Sequence, residues 1–314
     1  MKRLRDIGEL ALIRRLQKSA AGRGRGVIQG IGDDCAVVRP APDSPLDLLL
    51  TSDPVIEGVH FEAQDPPEWI GAKAVGRGLS DLAAMGGQPL WALIDLVAPR
   101  QPPLTRIAAV YRGARKAMRK HGLTLVGGDT TAGPRLELHA FVVGGVPRGT
   151  AVLRSGARPG DILYVTGSLG GSRRGKHLRF TPRVREGQWL REGRWATAMI
   201  DISDGLATDL RHLTDMSGTG ARLQLDAIPV SRAANAVRNN RSALAHALYD
   251  GEDFELLFTV SKRKTRAFEP AWKSRFDLPC TAIGVMTQQA GANECAQADG
   301  VTVLTKAGWE HFRR

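Results

Sequence analysis

Apolar segments of this chain end repeatedly in short turns that carry aspartate. The turns are Gly32-Asp33-Asp34, Thr51-Ser52-Asp53, Leu79-Ser80-Asp81, Gly127-Gly128-Asp129 and Asp201-Ile202-Ser203-Asp204. The segments they close alternate irregularly between strand and helix patterns. Leu48-Leu49-Leu50 reads as a strand running into Thr51. Trp69–Met85 is Ala-rich and helix-compatible, and Gly86-Gly87 with Pro89 stops it. Trp91–Val97, Leu123–Val126 and Leu136–Val146 read as strands around a basic amphipathic helix, Leu104–His121. Beyond the turn-rich Arg148–Asp161, Ile162–Val165, Ala198–Ile202, Phe254–Val260 and Thr281–Val285 read as strands. Gly205–Met216 reads as a helix closed by Gly218, and the basic Arg173–Arg194 follows no clear period. At the N-terminus, Leu4, Ile7, Leu10, Ala11 and Leu16 stand at helical spacing and predict an amphipathic helix. Strict β-α-β alternation is missing. The pattern therefore favours an α/β chain of α+β layers over a doubly wound parallel sheet. At about 150 residues per domain, the 314 residues predict two, 1–148 and 149–314.

Carboxylates on short stems, flanked by Gly and hydroxyl residues, are the ligands a hard cation such as Mg²⁺ selects. Gathered at one place, they hold metals that neutralise a triphosphate and align its transferring group. Taken singly, each turn has an ordinary alternative as a helix N-cap or a tight turn. Calcium is the other metal reading, and the absence of a D-x-D-x-D-G loop with a distal Glu argues against it. The Gly167–Gly171 turn offers backbone N–H groups for a phosphate, yet no P-loop and no kinase-type catalytic loop occurs. No G-x-S-x-G elbow is present either. His60, between Val59 and Phe61, has the alternative of a satisfied structural histidine. Gly251-Glu252-Asp253-Phe254-Glu255 has that of a charged turn before a buried strand.

Composition narrows the setting. The net charge of +12 is spread over scattered Lys and Arg with few aromatics, which argues against a nucleic-acid surface. The three cysteines, Cys35, Cys280 and Cys295, are far apart, which fits a reducing, cytoplasmic compartment rather than a disulfide or zinc framework. No signal peptide is apparent, and no run approaches the roughly 20 apolar residues of a membrane span.

The motifs, taken in order, resemble the thiamine-monophosphate kinases of the aminoimidazole-ribonucleotide-synthetase-like superfamily. The matching stretches are Ile31–Asp34, Thr51–Phe61, Leu79–Gly87, Leu125–Thr131, Arg154–Ala157, Asp201–Leu206 and Gly251–Leu256. The resemblance implies a two-domain fold that dimerises through its N-terminal domain. It implies transfer of the ATP γ-phosphoryl group to thiamine monophosphate with several Mg²⁺ ions, and K⁺ as a candidate monovalent ion. It further implies metal ligands at Asp33, Thr51, Ser52, Asp53, Asp81, Asp129, Asp201 and Asp204. Nucleotide contacts fall at Tyr111, Gly128, Asp129, Arg154 and Ser203, and thiamine contacts at His60, Glu252 and Trp309. No general base is implied, because the acceptor phosphate, with a second pKa of about 6, is already mostly dianionic at neutral pH. One departure concerns residues 172–197, where the family's longer helical insertion is replaced by a short basic segment, Arg173-Arg174-Gly175-Lys176-His177. Related ATP-dependent synthetases, a non-catalytic nucleotide sensor and a nucleic-acid module are the competing readings.

Overall fold

The computed structural model describes residues 3–19, 24–297, 300–304, 308 and 312. Two mixed seven-stranded sheets organise them. The first comprises β1 (Val27–Gln29), β2 (Ala36–Val38), β3 (Leu46–Ile56), β4 (Gln88–Ala98), β5 (Thr124–Gly127), β6 (Thr130–Ala132) and β7 (Glu137–Pro147). Its order is β1-β2-β3-β7-β4-β5, with β6 also on β4. The second comprises β8 (Ile162–Thr166), β9 (Ala196–Asp201), β10 (Gly220–Gln224), β11 (Leu256–Val260), β12 (Cys280–Thr287), β13 (Asn293–Gln297) and β14 (Gly300–Val303). Its order is β14-β13-β10-β12-β8-β11-β9. Most pairs are antiparallel; β5 and β6 on β4, and β13 on β10, are parallel. This is the layered architecture that irregular alternation favours.

The helices are α1 (Leu4–Ser19), α2 (Pro67–Ala84), α3 (Leu104–His121), α4 (Lys176–Arg179), α5 (Val184–Glu192), α6 (Leu206–Ser217), α7 (Arg232–Asn235), α8 (Ala243–Tyr249) and α9 (Thr265–Arg275). Gly122 and Gly218, both left-handed, close α3 and α6, as a C-terminal glycine does. α1 differs from its expectation. Gly8 breaks the helical geometry, and Leu4 and Leu16 remain about half exposed.

α2 is the organising element. It is buried on nearly every side, packing on β3, β7, α3, α4, α5 and β9. Small residues permit this. A Cβ at Gly71 would collide with the Val110 carbonyl on α3, and one at Gly113 with the Glu68 carbonyl on α2. One core surrounds α2 and extends to Tyr164, Phe258, Phe268 and Trp272; a second lies between β8–β11 and α6. Among the described residues, strand alternation leaves apolar side chains exposed on the other face of the first sheet. Leu46, Trp91, Leu93 and Val126 on it are 43%, 47%, 39% and 58% exposed. Among the described residues, no helix is long and apolar enough to cross a membrane. The three cysteines are unpaired thiols.

Candidate functional site

The two sheets meet at an acidic cleft. The loop before β2 supplies Asp33 and Asp34, β3 supplies Thr51 and Asp53, and α2 supplies Ser80 and Asp81. Asp201 ends β9, and Asp204 and Asp209 open α6. One carboxylate oxygen from each of Asp34, Asp81 and Asp201 lies within 4.8 Å of the others. Asp204, Asp209 and His212 form a second group by the same measure. Hydroxyls brace the first group. Thr51 Oγ1 donates to Asp81 Oδ2 at 2.5 Å, and Ser80 Oγ to Asp201 Oδ2 at 2.6 Å.

Burial and mutual repulsion make these carboxylates poor acids. Burial first, then the Asp34 charge, pushes Asp33 up to about 6 and Asp201 up to about 7. Asp81 and Asp209 are driven well above the carboxylate range, by burial first and then by neighbouring aspartates. Arg154 offsets part of this charge. Its Nη2 donates to Asp34 Oδ1 at 2.7 Å, and its backbone N–H to Asp33 at 3.2 Å. Arg77 Nη2 donates to Asp53 Oδ1 at 2.8 Å. Asp34 Oδ2 is still buried without a partner among the described residues. An unsatisfied carboxylate oxygen amid a hard carboxylate and hydroxyl set fits a divalent cation such as Mg²⁺.

Two expected ligands stand apart. Ser52 is exposed and, by strand alternation, faces away from Thr51 and Asp53. Asp129 is exposed at the sheet edge and joins neither carboxylate group among the described residues. Its N–H donates to Asp95 Oδ1 at 2.8 Å, and its Oδ1 accepts from the Thr130 N–H at 2.7 Å. Tyr111 lies by the same Asp95; its phenol is raised by burial first and then by that charge. Gly128 is obligatory here, since a Cβ would strike the Ile94 carbonyl oxygen, and its φ is 149°. Tyr111, Gly128 and Asp129 thus form an edge cluster, whereas Arg154 and Ser203 lie at the acidic cleft.

A third region continues from the acidic groups. His60, Arg77, Arg173, Ser203, Asp204 and Glu252 line one pocket, with Val59 and Asp250. His60 Nδ1 accepts the Ile56 N–H at 3.1 Å. The buried Lys73 Nζ donates to the His60 carbonyl at 2.7 Å and pairs with Glu252. Burial holds the Lys73 ammonium down at about 8 despite that partner. Glu252 and Phe254 take left-handed backbone at φ 55° and 51°, a conformation costly for such residues. Their N–H groups donate to the Ser203 carbonyl at 2.7 Å and the Ile202 carbonyl at 2.8 Å. The two acidic motifs are thereby clipped together. Trp309 lies outside the described residues.

The basic segment 172–197 is not simply a solvated run. A 3-10 turn at Ser172–Arg174 leads into α4 and α5, which both fold against α2. Arg183 grips buried Glu255 with both Nε and Nη2 at 2.7 Å, and Lys176 Nζ donates to the same carboxylate at 3.0 Å. Phe180 stacks on Phe254 with ring centroids 3.8 Å apart.

The sequence did not single out Asp34 within its motif, nor Asp209, His212, Lys73, Arg77 and Arg173, all of which the structure brings to the cleft or its pocket. A signal existed for two of them. Lys73, Arg77 and Ser80-Asp81 recur at helical spacing inside an Ala-rich helix, a polar stripe where no solvent face is available.

Residues 32–146 match the family model described as AIR synthase related protein, N-terminal domain. Thiamine-monophosphate kinase of Buchnera aphidicola (Schizaphis graminum) is 33% identical over 328 residues, covering 98% of this chain and 99% of that protein. The Salmonella typhimurium thiamine-monophosphate kinase is 37% identical over 329 residues, covering 97% and 98%. The solved structure of AaThiL complexed with AMPPCP and TMP superposes with a TM-score of 0.86 at 32% identity, over 99% of each chain.

Proposed function

The chain belongs to the thiamine-monophosphate kinase family and phosphorylates thiamine monophosphate to thiamine diphosphate with ATP; we propose that it does so by direct transfer across the acidic cleft. The observation that carries this reading is the convergence of Asp34, Asp81 and Asp201 within 4.8 Å, with Asp34 Oδ2 unsatisfied. We assign Asp33, Asp34, Thr51, Asp53, Asp81, Asp201 and Asp204 to holding Mg²⁺. When bound, Mg²⁺ supplies positive charge against the phosphates and fixes their geometry. Ser80 and Thr51 orient two of the carboxylates, and Arg154 keeps the Asp33-Asp34 pair in place. An oxygen of the acceptor phosphate attacks the γ-phosphorus, and the bond to the β-γ bridging oxygen breaks, releasing ADP. No side chain need remove a proton, because the acceptor's second pKa is about 6. The chain's task is to bring two polyanions into line.

Tyr111, Gly128 and Asp129 are proposed for the nucleotide, together with Arg154 and Ser203. His60, Glu252 and Trp309 are proposed for thiamine. We assign residues 1–148 to metal binding and dimerisation and 149–314 to completing the site. The uncovered apolar face of the first sheet supports a homodimer formed through it. Unpaired thiols fit a cytoplasmic setting.

Purified protein given ATP, Mg²⁺ and thiamine monophosphate, with and without K⁺, should yield thiamine diphosphate and ADP in equal amounts. No product under any of these conditions would refute the reading.

A further inference from the structure

We infer that Arg77 and Arg173 form a two-point clamp for the monoester phosphate of the acceptor, an inference that rests on the kinase reading above. Both line the pocket that also holds His60 and Glu252. Of the three anions there, Asp204 is a proposed metal ligand and the other two have cationic partners. Glu252 pairs with Lys73, and Asp250 bonds His246 at 2.8 Å and Arg241 at 3.0 Å. Arg173 is exposed in the pocket wall and makes no hydrogen bond or ion pair among the described residues. Arg77 spends one donor on Asp53, while its Nε is buried without a partner among the described residues. A guanidinium has five N–H donors and suits a phosphate's oxygens. Asp53 is also a proposed metal ligand. A cation on Asp53 would take over that charge and leave the Arg77 fork to turn toward an incoming phosphate. The clamp accounts for part of the basic segment 172–197. Lys176 and Arg183 are spent on Glu255, whereas Arg173 is left for a ligand.

The same cations would suit a monoester or the γ-phosphate of the nucleotide. The lining favours the monoester, since His60 and Glu252, proposed for thiamine, share this pocket, whereas of the residues proposed for the nucleotide Ser203 lines it and Tyr111 and Asp129 lie at the sheet edge.

Arg77→Met and Arg173→Met test the clamp, with Arg174→Met as control; Arg174 is not among the residues that line the pocket, and its Nη1 donates to the Ala236 carbonyl at 3.3 Å. In each clamp variant the KM for thiamine monophosphate should rise about 10-fold or more, with the KM for ATP and both control values moving less than about twofold. Calorimetry without nucleotide should show that the wild type binds thiamine monophosphate more tightly than thiamine, and that both variants lose this preference. Unchanged acceptor KM in folded variants overturns the clamp. A rise confined to the ATP KM also overturns it and gives the pair to the donor. If Arg77→Met fails to fold by circular dichroism, the exposed Arg173 still decides. A wild type without turnover defeats the kinase reading, and the calorimetric preference then judges the clamp separately.

Discussion

At the scale of single residues, the site is a collection of conflicts held by its surroundings. Asp81 is the clearest. It is packed among Asp53, Asp201 and Asp34, and the Thr51 hydroxyl donates to it. Such a residue is costly to the fold and useful to a cation. Asp81→Asn should therefore lower kcat by about 100-fold or more. Without Mg²⁺, it should raise the melting temperature by about 1–3 °C. Steady-state rates and thermal denaturation in EDTA check the two halves, and a variant both active and unchanged in stability contradicts them. The residue scale also shows where sequence reading stops. The Gly-Asp-Asp motif was legible, but not the division of labour within it. Asp33 receives the Arg154 backbone N–H, while Asp34 enters the carboxylate triad. That division depends on the loop's path, which spacing does not reveal. Ser52 was grouped with Thr51 and Asp53, although period two sends its side chain to the other face.

At the scale of elements, strong periodic segments were legible and short edge strands were not. The helix over Leu104–His121 appears with those bounds, and Gly205–Met216 shifts by one residue to Leu206–Ser217. β1, β2, β10, β13 and β14 are at most five residues long. β10 depends on β12 and β13, distant in sequence and outside any local window; β1 with β2, and β13 with β14, are local pairs too short to show a clear period. The segment Arg173–Arg194 resisted assignment for a related reason. Its charges look solvated in sequence, but Lys176 and Arg183 turn inward to a glutamate some 70 to 80 residues away. Among the described residues, β4 is covered on one face only. Its alternation buries Ala92 and Ile94 beneath α2 and leaves Trp91 and Leu93 facing outward. An aromatic and a leucine on an open sheet face mark an interaction surface. Trp91→Glu should convert a dimer into a monomer at micromolar concentration, read by light scattering. A wild type that is monomeric, or a variant that stays dimeric, removes this face from the assembly.

At the scale of the whole molecule, the acidic cleft couples folding to both protons and metal. Asp33 and Asp201 hold their protons up to about 6 and about 7 in the folded chain, against an ordinary value of 3.8. Between those limits the metal-free folded chain binds more protons than the unfolded chain, so its stability falls as pH rises. Above about pH 7 both states are ionised, and that contribution is gone. The cleft is most repulsive under the conditions in which Mg²⁺ competes best for its carboxylates, because a bound proton must leave before the cation binds. In EDTA, the melting temperature should therefore drop between about pH 5 and pH 7.5, as the buried aspartates ionise. Millimolar Mg²⁺ should restore it at the upper pH and do little at the lower one, by the linkage between ligand and folded state. Differential scanning calorimetry over that grid checks the claim. A Mg²⁺ effect of equal size at both pH values would mean that the cation binds elsewhere. A pH-independent melting temperature in EDTA would mean that these aspartates are already charged and compensated, with Arg154 and Arg77 sufficient to hold the cleft together.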